Sequence, residues 1–166
     1  MLGDTWINHH GRHKSESTRG VVYPPLADDP ILRGVTDVWG PSDVYGIRNL
    51  RVTARVLLQG QVLDGMTPDA KPVEGKKNDP MMPLAWTQLV DSKSGKTARV
   101  FCTTMGASTD FESEGLRRLI VNASLWCLEM EDKIPEKANV DYVGKYEPTM
   151  FGFGTYTKGR RPRDYQ

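Results

Sequence analysis

Between residues 81 and 130 the spacing of apolar positions changes twice, and those changes define the elements around which the chain is organised. Leu84, Trp86 and Leu89 lie among polar neighbours in a short β-compatible run. Residues 91–96, DSKSGK, form a polar cluster with a glycine, the composition of a hairpin connection. Residues 99–104, RVFCTT, are rich in β-branched and aromatic side chains, and Val100, Phe101 and Cys102 are consecutive apolar residues. Such a run predicts a strand covered on both faces, inside an α/β sheet. The period then becomes helical. Leu116, Leu119, Ile120, Ala123, Cys127 and Met130 recur at steps of three and four, with Trp126 beside them, which predicts one apolar helix face packed on the sheet. Arg117, Arg118, Asn122 and Glu129 fall on the other faces. Thr109, with Glu112 three residues on, has the form of a capping box.

The remaining pattern is less regular. Residues 51–63 alternate at Val52, Ala54, Val56 and Leu58 and predict a second strand region. Pro24, Pro25 and Pro30 forbid a long helix in residues 21–49, and residues 29–34 predict a short helical turn stopped by Gly34. Residues 65–80 form a charged, proline-bearing loop without an apolar face, expected to act as a lid or partner-binding arm, with Lys76, Lys77 and Asn78 at a solvated tip. The segment 135–166 has no periodicity and is expected to dock its aromatics on a domain spanning 1–134.

Composition narrows the function classes. At 166 residues the chain is long enough for one domain with a real core, and its net charge of +1 gives no global field to attract nucleic acid or a membrane surface. The basic run at residues 158–163 reads as a solvated terminus. Cys102 and Cys127 sit in apolar contexts, which predicts buried free thiols rather than a disulfide. With no signal-like or membrane-spanning pattern visible, a soluble chain, cytoplasmic by default, is expected.

Candidate chemistry gathers in two places. His9, His10 and His13 are the only histidines and fall within five positions. Imidazoles four apart suit a metal such as zinc, with His9 and His13 as the pair and Glu16 or Asp4 supplying a carboxylate; a sugar-contact or acid–base role is the alternative. The second place is the turn after the strand. Thr103, Thr104, Ser108 and Thr109 offer hydroxyls around Gly106, and helix-start amides favour polar oxygens; helix and turn capping is the competing role. Asp43 and Tyr45, in a turn after Trp39, could line a pocket; a half-buried packing role is the equal alternative for Tyr45.

PLAWTQ, GKTARVFCTTMG and RRLIVNASLWCL resemble the C-terminal half of the ThuA-like domain, a family associated with the use of trehalose and related sugars within the class I glutamine-amidotransferase-like superfamily. HHGRHKSESTRGV, DPILRGVTDVWGPSDVYGI, QVLDGM, PVEGKKNDPMMPLAW and EPTMFGFGTYTKGRRP resemble segments of one bacterial subgroup, in order and over nearly the whole chain. The resemblance implies a flavodoxin-like layered α/β fold, incomplete at its N-terminus. It implies a carbohydrate ligand held through His9, His10, His13, Asp43, Tyr45, Thr104, Gly106, Ser108 and Thr109, with zinc as the candidate metal and self-association through an exposed sheet edge. Two departures bear on activity. The superfamily's nucleophile elbow would precede Met1, and Ala107 stands where many relatives carry histidine. Glutaminase activity is therefore not expected, and a non-catalytic binding module is the alternative to a carbohydrate-processing enzyme.

Overall fold

The computed structural model describes residues 4–91, 95–150, 152 and 157–165. Five strands form one curled sheet: β1 (Ser17–Val22), β2 (Val38–Gly40), β3 (Arg55–Leu63), β4 (Met82–Asp91) and β5 (Thr97–Thr103). Their spatial order is β2-β1-β3-β4-β5, and every pairing is antiparallel. Among the described residues one α-helix, α1 (Glu114–Cys127), follows the last strand.

This overturns the layered flavodoxin-like expectation. A parallel sheet needs a crossover, usually helical, between successive strands. Here the helix comes after β5, and β4 reaches β5 by a direct hairpin with Trp86 opposite Cys102 and Thr87 opposite Phe101. The apolar run 100–102 lies at a sheet edge rather than its centre. Only Cys102 of the three is buried, while Val100 and Phe101 are half-buried. Two register shifts in β3, around Leu58, mark a bulge that bends the sheet.

Strand β1 escapes hydropathy because its buried residues are polar. Ser17 and Thr18 are both inaccessible. The Trp39 indole N–H donates to Ser17 Oγ (3.2 Å), and Thr18 Oγ1 donates to the Ser42 carbonyl (2.6 Å). Each polar atom is satisfied by a partner more than twenty residues away, which removes the cost of burying it.

The core gathers Ile31, Leu32, Val38, Leu57, Leu58, Leu84, Ala85, Met105, Leu116, Leu119 and Ala123 between the sheet and α1. The helix differs from its predicted form at both ends. Ser113, not Thr109, caps it by accepting from Leu116 N (3.2 Å), and Thr109 belongs to a 3-10 turn, Ser108–Glu112. The helix stops at Cys127, so Met130 lies outside it, and Trp126 and Cys127 are half-buried. Two residues off the apolar stripe are buried as well. Arg118 donates to the carbonyls of Ala138 (3.0 Å) and Gly34 (3.3 Å) and pairs with Glu114. Asn122 donates to the carbonyls of Ile31 and Arg33 (2.9 Å each). The helix thus ties two irregular segments to the core through side chain to backbone hydrogen bonds.

The loop after β3 is pinned. Glu16, 2% exposed, receives Lys77 Nζ at 2.6 and 2.7 Å and Arg12 Nε at 3.1 Å. Asn78 bonds Val62 N (2.7 Å), Val62 O (2.9 Å) and Val73 O (2.7 Å). Lys76 is exposed as expected, but Lys77 and Asn78 are anchors rather than a solvated tip. In the C-terminal segment Ile134, Ala138 and Val140 are buried, and the Tyr142 ring lies under the Arg117 guanidinium at 4.1 Å and stacks on Tyr146 at 4.7 Å. Phe151 and Phe153 lie outside the described residues.

Candidate functional site

The N-terminal segment folds back over the turn that follows β2. His10 N and Gly11 N both donate to the Val44 carbonyl (2.8 and 2.9 Å), Gly46 N donates to the Asn8 carbonyl (2.9 Å), and His9 pairs with Tyr45 as an isolated antiparallel bridge. These backbone bonds set residues 8–13 against residues 43–46 and bring predicted site residues from two distant stretches together.

Asp43 is at the centre. Its side chain is 2% exposed, and each carboxylate oxygen receives one imidazole: His9 Nδ1 at 2.7 Å and His13 Nδ1 at 2.9 Å. The two rings are 5.0 Å apart. The His9 ring also meets Trp6 (5.6 Å) and Tyr45 (5.5 Å) edge-on. His10 faces elsewhere, its Nε2–H donating to the Lys77 carbonyl (2.9 Å).

Beside this cluster lies a cleft of about 390 Å³ between residues 4–6, residues 45–47 and the strands β4 and β5. Trp6, Tyr45, Ile47, Trp86 and Phe101 form its apolar walls; Asp4, Thr103 and Thr104 add polar atoms. Trp86 is buried beneath it and Trp6 stands exposed at its mouth. Tyr45 belongs to both features, because it lines the cleft and contacts His9. Burial, then the charges of Asp43 and Asp110, push the Tyr45 phenol above its ordinary value, so its hydroxyl stays protonated at neutral pH. Asp4 is anchored by the amides of Arg48 (2.8 Å) and Asn49 (2.9 Å). Burial alone would raise its carboxyl pKa, but these bonds, one from the Thr5 amide and one from the Asn49 side chain together outweigh it and hold the pKa below its ordinary value.

The turn 104–109 divides. Thr104 lines the cleft, and its Oγ1 is buried with no hydrogen-bond partner among the described residues. Thr103, its neighbour, is satisfied locally through the Met105 backbone. The rest of the turn is built around the fully buried Asp110, whose Oδ2 accepts from Gly106 N and Ala107 N (2.9 Å each) and whose Oδ1 accepts from Ser42 N (3.1 Å). Ser108 Oγ donates to the Thr149 carbonyl (3.0 Å), and Thr109 Oγ1 meets Met150 Sδ (3.3 Å). Gly106, Ser108 and Thr109 therefore stand apart from the cleft, and the amides expected to greet a ligand are taken by Asp110.

The sequence reading missed Trp6, Ile47, Trp86 and Phe101 as cleft residues. Trp6 carried a usable signal, a lone tryptophan in a polar stretch. Trp86 and Phe101 read as ordinary strand apolar positions. Asp43 was named for a pocket but not as the partner of His9 and His13; Glu16, a suggested ligand, is instead taken by Lys77 and Arg12.

Comparison with family models, with curated proteins and with solved structures finds no match to this chain. Among the described residues, no helix is long and apolar enough to cross a membrane.

Proposed function

We propose that the chain binds a small carbohydrate in the cleft beside the His9–Asp43–His13 cluster. The carrying observation is the lining itself: aromatic walls from Trp6, Tyr45 and Trp86 with a few fixed polar atoms at Asp4, Tyr45 and the unpartnered Thr104 hydroxyl. A sugar presents apolar C–H faces and hydroxyls around its rim, and a concave apolar site with few convergent polar groups suits that chemistry. The volume is at the small end for ligand sites, appropriate to one or two sugar rings. Trehalose-type sugars come first to test because the chain's motifs resemble ThuA-like sequences, although the fold that resemblance implied is not the one observed.

The cleft would bind its ligand without a covalent nucleophile. Cys102 lines the cleft, but burial pushes its thiol up and keeps it protonated, which makes it a poor nucleophile. Cys127 is raised for the same first reason.

Calorimetric titration with trehalose, glucose and related neutral sugars tests the proposal. Saturable binding is expected, and Trp6→Ala should weaken it about tenfold or more, a loss of ~1.4 kcal/mol. Trp6 is 59% exposed, so its removal leaves the core intact. The absence of binding to every neutral sugar, or unchanged affinity in Trp6→Ala, contradicts it.

A further inference from the structure

The histidine cluster has a feature that a hydrogen-bonded loop does not require. Asp43 is a buried carboxylate, and among the described residues no lysine or arginine pairs with it; its polar partners are two imidazoles, one per oxygen. A buried carboxylate held between two imidazole nitrogens is a converging set of one oxygen and two nitrogen donors, the kind of set a transition-metal cation takes. The scaffold around it is tight. A Cβ at Gly11 would lie 3.2 Å from Asp43 Cβ and 3.3 Å from Val44 N, so glycine there lets the 9–13 turn close over the carboxylate. His9 and His13 approach from the two sides of that turn.

We propose that His9, His13 and Asp43 form a three-ligand site for a borderline divalent transition-metal ion, zinc first. One ligand atom of each residue lies within 4.8 Å of the other two. Ligands on a tetrahedral zinc at 2.0–2.2 Å stand about 3.4 Å from one another. The imidazole to carboxylate distances of 2.7 and 2.9 Å are somewhat shorter, so modest side-chain rotation opens room for the ion. Coordination through the two Nδ1 atoms moves each ring proton to Nε2, so the imidazoles stay neutral and no net proton is required from elsewhere. Two nitrogens and one oxygen select zinc, cobalt or nickel over magnesium and calcium, which prefer oxygen donors. The histidine side chains are 41% and 40% exposed, leaving a fourth position open to water. Tyr45 and Trp6, which wall the cleft, also pack on His9, so the ion would stand at the cleft's rim.

The site is independent of the sugar proposal, and its test uses the metal alone. Chelator-stripped protein is titrated with zinc by calorimetry and with cobalt by visible absorption. Uptake of about one equivalent is expected, with cobalt ligand-field bands and no thiolate charge-transfer band. His9→Ala and His13→Ala should each weaken uptake roughly tenfold or more, while His10→Ala leaves it unchanged. Circular dichroism confirms that these half-exposed substitutions retain the fold. Clearly substoichiometric uptake, equal uptake by His13→Ala, or a cobalt–thiolate band pointing to Cys102 or Cys127 would overturn the assignment.

Discussion

Gly115→Ala is expected to destabilise the protein by about 3 kcal/mol or more, even though it places the best helix former in the first turn of α1. On an exposed helix the same change stabilises by about 1 kcal/mol. Here the added Cβ would stand 2.0 Å from the Thr36 carbonyl oxygen and 3.1 Å from its carbon. Both are backbone atoms, so no side-chain rotation relieves the overlap. The 36–38 turn cannot retreat freely, because Asp37 already holds a positive φ of 45° and its carbonyl accepts from Ser113 Oγ (3.3 Å), the residue that caps the helix. The helix must therefore lift from β2, and Leu116 and Leu119 lose packing with it. A denaturant melt measures the loss. Stability equal to or above wild type would mean that α1 does not sit against the 36–38 turn as described.

Acidification supplies the second large effect, through Glu16. Burial alone would raise this carboxyl, but the Lys77 hydrogen bond, the Arg12 amide and guanidinium, and the Lys77 charge outweigh it and hold it below its ordinary value of 4.5. A depressed native pKa contributes stability that is fully present above the unfolded value and is lost as pH falls through the native one. Stability should therefore be flat in this contribution above about pH 5 and decline below pH 4.5. Glu16→Gln removes the contribution at neutral pH. It leaves Lys77 and Arg12 without their acceptor charge, at an expected cost of about 2–3 kcal/mol; the part-exposed lysine keeps this below a fully buried pair. It also removes one of the two anchors of the 65–80 loop, leaving Asn78, so limited proteolysis there should accelerate. A variant whose stability matches wild type at pH 7 and shows the same acid limb would remove Glu16 from this role.

These two positions show what was legible in the chain and what was not. The hairpin 82–103 and the helix were readable because hydropathy period and turn composition are local. A glycine in the first turn of the helix has no local reason; its reason is the Thr36 carbonyl, nearly eighty residues upstream. The layered α/β expectation came from the family resemblance and from the apolar run 100–102, which fits a doubly covered strand as well as it fits an edge strand with a helix on one side. What decides between them is β1, whose buried Ser17 and Thr18 carry no hydropathy signal because their partners, Trp39 and Ser42, lie far along the chain. The same holds for Arg118 and Asn122, polar by type and buried because backbone carbonyls await them.

The site divides along the same line. His9, His13, Asp43 and Tyr45 could be named from residue chemistry alone. That Asp43 is the hub, that His10 turns away to Lys77 and that Thr104 alone of the 104–109 turn lines the cleft are consequences of backbone bonds at Val44 and of Asp110 filling that turn. The residues that give the cleft its aromatic walls were hidden among ordinary strand positions.

Chemical-shift mapping on isotopically labelled protein, during titration with trehalose, shows directly whether the cleft takes the sugar. Saturable shifts should concentrate at Trp6, Tyr45, Gly46, Ile47, Trp86 and Thr104, the residues lining the cleft. The amides of Gly106 and Ala107, bound to Asp110, should move little. Shifts centred on the 106–109 turn, or no saturable shift at any cleft residue, would mean that the cleft is not the sugar site.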